Sequence, residues 1–301
     1  MSTVAADHAR RAVPPPAPAP GAIPDGPTAR AHRHGRLVAT IERRRGRGAL
    51  TAQEIAFPAG TVRLTEPDGD GVVELQQTAP SGGLLGGDRL EVAVRVGADV
   101  DVSLVTQGAT RVYRPADGRS PTQLRTALAV ADGARVEWVP HHLLLYRGAH
   151  VHQRTAIDVD PGGGLLAWEA LSAGRTARGE RFAWAGLDTR LRVTRGGGPL
   201  VTDGAVLDGG GEPFDGADLC VAVVAVLPRP SAAAAAGLAD ELHDVLTAAP
   251  GVLGSASVPA PGCVVARVLG RDAPSTYRAL HGAREAVRAA LGLPRPARPI
   301  A

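Results

Sequence analysis

The sequence predicts a mostly β protein, its strands stacked in a β-helix- or sandwich-like form, with about two helices near the C-terminus. Three observations predict it. Apolar and polar residues alternate with period two from Leu37 to about Val206. A strand–turn–strand form recurs about every thirty residues, the spacing of repeated supersecondary units. After about residue 216 the alternation gives way to continuous apolar runs and helical periodicity.

The elements follow in chain order. Residues 1–35 are rich in Ala, Pro and Arg, as in VPPPAPAP, and cannot bury enough apolar surface to fold. A disordered tail is expected there; its His32 and His34 read as polar residues or as a metal trap. Residues 36–216 read as a β scaffold. Leu90, Val92, Val94 and Val96 alternate with Glu91, Ala93 and Arg95. Val151, Gln153, Thr155, Ile157 and Val159 stand opposite His150, His152, Arg154 and Asp158. VGADVDV at 96–102, VADGARVEW at 130–138 and VDPGGGLLAW at 159–168 each place a turn between two strands. Residues 217–293 read as a βαββα part of the same domain. DLCVAVVAVL at 218–227 is a buried strand, and Ser231 caps a helix carrying Leu238, Leu242, Val245 and Leu246 on one face. Strands at 252–258 and 262–269 precede a helix over 275–292, with Tyr277, Leu280, Val287 and Leu291 on one face. Residues 294–301 are a Pro-rich, loose tail.

Composition excludes several chemistries. Hydrophobic residues make up 44% of the 301 but aromatics only 3%, so Val, Leu and Ala must fill the core. All 33 basic residues are arginine. A Walker A phosphate loop needs its lysine, as does Schiff-base catalysis, and neither is available. Cys220 and Cys263 lie in apolar runs and read as buried thiols, not as a disulfide framework. The cluster Arg43, Arg44, Arg45 and Arg47 reads as a solvated hairpin turn, since no nucleic-acid-binding pattern accompanies it. No apolar h-region or bilayer-length run is present, and the expectation is a soluble cytoplasmic protein that binds neither membrane nor nucleic acid.

Several segments carry candidate chemistry. PSGGLLGGD places Gly82, Gly83, Gly86, Gly87 and Asp88 around two leucines; it reads as a tight turn, an anion-holding nest or an oxyanion loop. An esterase would also need a nucleophile elbow, and ALSAG at 170–174 lacks its first glycine. Thr106 and Gln107 end a strand, where they ligate or satisfy backbone, and Arg114 follows. His150 and His152 share one strand face, a spacing that places two imidazoles on one metal, though no third ligand is apparent. Glu169 falls on the face of Leu165, Ala167 and Leu171, opposite Trp168. A carboxylate there needs a partner, with Arg175 the natural one, or else lines a channel and hands on a cation.

Taken in order, PSGGLLGGD (80–88), TQGATRVYR (106–114), EWVPHHLLLYRGAHVHQRT (137–155), WEALSAGRTARGERF (168–182) and CVVARVLGRD (263–272) resemble the UreD family of urease accessory proteins. The similarity runs from about Gly35 to Leu293. The resemblance implies a non-enzymatic, mostly β scaffold or chaperone that works with the helical protein UreF and the GTPase UreG on apo-urease. It also implies an internal path for nickel, with no permanently bound cofactor. Positions matching the family's pattern are the Gly-rich loop, Thr106, Gln107, Glu169, and the stretch from Gly174 and Arg175 to Glu180. His150, His152, Glu169 and Glu180 are candidate transient nickel ligands, and Tyr277 and Leu280 candidate contacts to a helical partner. The chain departs from the pattern in its first 35 residues and in its PRPARPIA end. The alternatives are a β-rich protein-binding module unrelated to urease, or a hydrolase using the Gly-rich loop.

Overall fold

The computed structural model describes residues 32–60, 62–66 and 70–296. The predicted N-terminal tail therefore lies outside the described residues as far as residue 31, and the end of the C-terminal one from residue 297 on. A hairpin, β1 (His34–Arg44) and β2 (Arg47–Ala56), opens the fold, so ordered strand begins two residues inside the stretch read as tail. The arginine cluster sits on the tip of this hairpin, where Arg44 faces Arg47. Next come β3 (Val62–Thr65) and β4 (Val73–Gln77).

Three rungs follow, each a long strand, a short turn and a second strand. They are β5 (Arg89–Val96) with β6 (Asp101–Thr106), β8 (Thr122–Val130) with β9 (Arg135–Trp138), and β11 (His150–Val159) with β12 (Gly164–Ser172). Short strands β7 (Thr110–Val112) and β10 (Leu143–Leu145) lie between rungs. A small hairpin, β13 (Gly174–Arg175) and β14 (Glu180–Arg181), leads to β15 (Gly186–Arg195) and β16 (Gly198–Asp208). The chain then runs β17 (Leu219–Val226), α1 (Ala232–Thr247), β18 (Val252–Ala260), β19 (Cys263–Gly270) and α2 (Ala273–Leu291).

The first strands of the rungs stack in parallel into one sheet, ordered β16-β15-β11-β8-β5-β1-β2. The second strands stack in parallel into another, ordered β18-β19-β17-β12-β9-β6-β4-β3. Antiparallel strands close each stack: β2 and β16 on the first sheet, β3 and the β17–β19–β18 group on the second. The predicted repeat is the set of turns joining the two sheets. Those turns rest on one another: Asp99 N–H donates to Asp132 O, Gly133 N–H to Gly162 O, and Gly162 N–H to the Asp132 carboxylate at 2.6 Å. Gly133 is required there, because its φ is +72° and a Cβ would stand 2.2 Å from Asp99 Oδ1.

The alternation builds the core. Leu37, Val94, Leu128 and Ile157 of the first sheet meet Leu104, Val136 and Leu165 of the second. The second sheet is buried on both faces, which is why β17 reads as an unbroken apolar run. Its outer face carries Leu166, Trp168 and Val223 against Leu238 and Leu242 of α1 and Leu280 and Val287 of α2. Ser231 caps α1 as expected, its hydroxyl accepting from Ala234 N–H; Asp272 caps α2. Three of the nine aromatics meet in one cluster, where Phe182 makes edge-to-face contacts with Trp184 and Phe214.

One polar cluster lies inside this layer. Glu137 of β9 is fully buried and accepts from Arg284 Nε at 2.7 Å, Arg284 Nη2 at 2.8 Å and Arg288 Nη1 at 2.7 Å. Arg288 also reaches Asp70 and the Pro294 carbonyl. These contacts rivet α2 to the second sheet.

Candidate functional site

Three cavities lie in a row within the fold. The first is walled by the Gly-rich loop (Ser81, Gly82, Gly83, Leu84) and by Gln77, Thr106, Gln107 and Thr110. The second shares Gln77, Leu90, Thr106 and Thr110 with the first and adds His141, Gln153, Thr155 and Glu169. The third shares Leu143, Gln153, Glu169 and Ala170 with the second and adds Thr189, Asp203, Cys220 and Arg267. Both sheets contribute: inward-facing residues of β5, β8, β11 and β15 oppose β6, β9, β12 and β17.

Local structure explains each donor. The Gly-rich loop folds onto β7 by Leu84 N–H to Arg111 O and Tyr113 N–H to Leu84 O. Gly83 is needed because its φ is +149° and a Cβ would lie 2.5 Å from Tyr113 Cε2 and 2.9 Å from Arg111 O. Thr106 accepts from His141 N–H at 2.9 Å and donates to Gly108 O at 3.1 Å, which fixes the hydroxyl at the junction of the first two cavities. Gln107 is held by its backbone N–H to Gln77 O.

Glu169 stands where the second and third cavities meet. It is half-buried in β12 and lines both cavities. Its carboxyl accepts hydrogen bonds from Thr155 across the sheets and from Gln153. Loss of hydration pushes its pKa up; those two hydrogen bonds counter this in part, and the Asp203 carboxylate adds to the rise. The third cavity ends at the Asp203–Arg267 ion pair, whose arginine is 56% exposed, and at Cys220, whose thiol burial also pushes up.

The structure brings Gly82, Gly83, Thr106, Gln107 and Glu169 onto this row and leaves the other candidates off it. Gly86 packs on Pro115 and Gly87 on His32. Asp88 is buried and turned to Arg33, whose guanidinium and backbone N–H, with Leu85 N–H, outweigh the burial that alone would raise its pKa and hold the carboxylate below its usual range. Arg114 is exposed. Arg175 does not partner Glu169; it grips Glu180 through two bonds of 2.8 and 2.6 Å and stacks 4.4 Å over the Tyr146 ring. The β13–β14 hairpin sets Arg175 directly opposite Glu180, so the nearer carboxylate wins.

The expected partner-facing helix side is also corrected. Leu280 is fully buried in the layer between the second sheet and the helices. Tyr277 packs against the same layer, and its hydroxyl accepts the His142 N–H at 2.9 Å. Burial drives the Tyr277 pKa up to about 12 and that of His142 down to about 4. His150 and His152 lie on the outer face of the first sheet, away from the row. Ser172 is buried in β12 and donates to the Leu143 carbonyl, so the oxyanion-loop reading has no serine nucleophile at that position.

Sequence reasoning missed Gln77, His141, Asp203 and Cys220 as cavity walls and Glu137 with its arginines as a buried cluster. Signals existed. Gln153 and Thr155 occupy core-facing positions of an otherwise apolar alternation, and Arg284 and Arg288, four apart, share the face of Leu280 and Leu291.

Residues 33–300 match the family model described as UreD urease accessory protein. The chain is 32% identical over 279 residues to the urease accessory protein UreD of Alkalilimnicola ehrlichii, covering 92% of each chain. It is 32% identical over 251 residues to that of Paracoccus denitrificans (78% of this chain, 86% of the relative). With that of Ruegeria pomeroyi it shares 31% over 226 residues (75% and 83%).

Proposed function

The chain belongs to the UreD urease accessory protein family, and from this we propose that it is a non-enzymatic scaffold for urease maturation that acts with UreF and UreG and passes nickel to apo-urease. The nickel is cargo, and its route is the row of three cavities. The observation that carries the reading is the shared walls: Gln77 and Thr106 border the first and second cavities, Gln153 and Glu169 the second and third.

The donor chemistry suits transit. Hydroxyl and amide oxygens replace part of a hydration shell without the closed thiolate or imidazole cage that would trap the ion. Among the described residues no group of three or more His, Cys, Asp or Glu stands close enough to hold a metal. Burial raises the Glu169 pKa, so proton and cation compete more closely for this carboxylate than for an exposed one. GTP hydrolysis belongs to the partner, since this chain has no lysine for a phosphate loop.

The test is co-expression of the urease operon with this chain as wild type, Glu169→Gln or Gln153→Leu/Glu169→Leu. The expected result is a fall in urease activity and bound nickel while UreF, UreG and urease still co-purify. Full nickel loading with the double variant in an intact complex would sink the cavity route. Full urease activity without the chain at all would sink the maturation role.

A further inference from the structure

We propose that His150 and His152 form a second metal site, a two-imidazole chelate for a divalent transition ion such as nickel(II), on the outer face of the first sheet. It stands apart from the cavity row and does not depend on the reading of that row.

The strand places both rings on one side. Val151, Gln153 and Thr155 point between the sheets, so His150 and His152 project outward, and both are half-exposed. Their ring centroids are 5.1 Å apart with the planes at 89°. A ring nitrogen lies about 1.2 Å from its ring centre and a metal–imidazole bond is about 2.1 Å, which puts each centroid about 3.3 Å from a shared ion. Two rings at about 90–109° around that ion are then about 4.7–5.4 Å apart. The observed separation falls inside that window.

The neighbouring strand completes the setting. Gly186 pairs with His150, and a Cβ there would meet the ring at 3.3 and 3.4 Å, so the glycine leaves the imidazole its seat. Asp188 pairs with His152 on the same face. One of its oxygens binds Arg154, while the other, Oδ1, is buried with no hydrogen-bond partner. The Asp188 charge reaches His152 from the neighbouring strand, which favours a cation beside the pair. Two protein ligands leave the remaining positions to water, which makes the site weak and exchangeable.

The experiment is calorimetric titration of the full chain, alone or with UreF, using nickel(II) chloride. The proteins are wild type, His150→Ala, His152→Ala, the double variant and Glu169→Gln. The expected result is one site weakened about tenfold or more by either histidine change and abolished by both, with Glu169→Gln unchanged there. X-ray absorption of the nickel complex should show two imidazoles, lost in the double variant. Nickel affinity and absorption unaltered by the double variant overturn the proposal. A failure of the cavity route, read as normal urease loading by Glu169 variants, leaves these titrations unmoved.

Discussion

Glu137→Leu should be among the most destabilising single changes in this fold. The carboxylate has no exposed surface and holds three charge-assisted bonds of 2.7–2.8 Å from Arg284 and Arg288. The arginine side chains are themselves only 7% and 2% exposed. Removing the carboxylate strands two cations in the layer between the second sheet and α2. Arg284 keeps its bond to Ser103, and Arg288 keeps those to Asp70 and Pro294, so the loss is partial. Breaking a buried pair in this way costs about 3–5 kcal/mol. For a chain of this size that is a fall in melting temperature of about 6–20 °C. The assay is thermal unfolding followed by circular dichroism, with wild type, Glu137→Leu and Glu137→Leu/Arg284→Met/Arg288→Leu. The triple variant should recover much of the loss, because it removes both stranded cations and leaves only the partly exposed Asp70 without its arginine. A single variant melting within about 2 °C of wild type would refute the argument that these bonds hold α2 in place.

Other consequences follow from single residues. For Glu169 the folded-state pKa is raised above its ordinary 4.5, so its contribution is retained below that pH and lost as pH rises through the folded value. Wild type should therefore lose stability relative to Glu169→Gln as pH climbs from 4.5, and a melting-temperature difference independent of pH would contradict the burial. Gly83→Ala forces a Cβ against Tyr113 and Arg111 at positive φ and should cost about 2 kcal/mol or more, whereas Gly108→Ala, with open space at its Cβ, should cost well under about 1; denaturant melts compare them. Tyr277→Phe leaves the His142 N–H without its acceptor and should cost about 1–3 kcal/mol by the same measurement.

Much of the architecture was legible because strands alternate with a strict period. The three turn repeats gave the rung spacing, and the unbroken apolar run at 218–227 gave a strand covered on both faces. The site was legible only in part. Glu169 stood out as a carboxylate on an apolar face, but its partner did not follow from spacing. Arg175 lies six residues on, yet a two-residue hairpin sets it against Glu180, while Glu169 is met by Thr155 from the other sheet. Which strands oppose each other across the core is a tertiary fact, and the cavity walls depend on it. The helical periodicity of α2 was right, but period alone does not say whether an apolar stripe faces the fold or a partner, and Leu280 faces the fold.

The placement of Glu137 also bears on how the chain is made. Each rung adds to a neighbour about thirty residues back, so the stack can grow one unit at a time as it leaves the ribosome. Glu137 is different: its partners lie 147 and 151 residues later in the chain. Until α2 emerges, that carboxylate keeps its water and the apolar outer face of the second sheet stays uncovered where α2 will lie, beside α1. Synthesis from the N-terminus thus assembles the stack first and seals it last. A chain stalled before Arg284 would be a nearly finished scaffold with its stickiest surface still open.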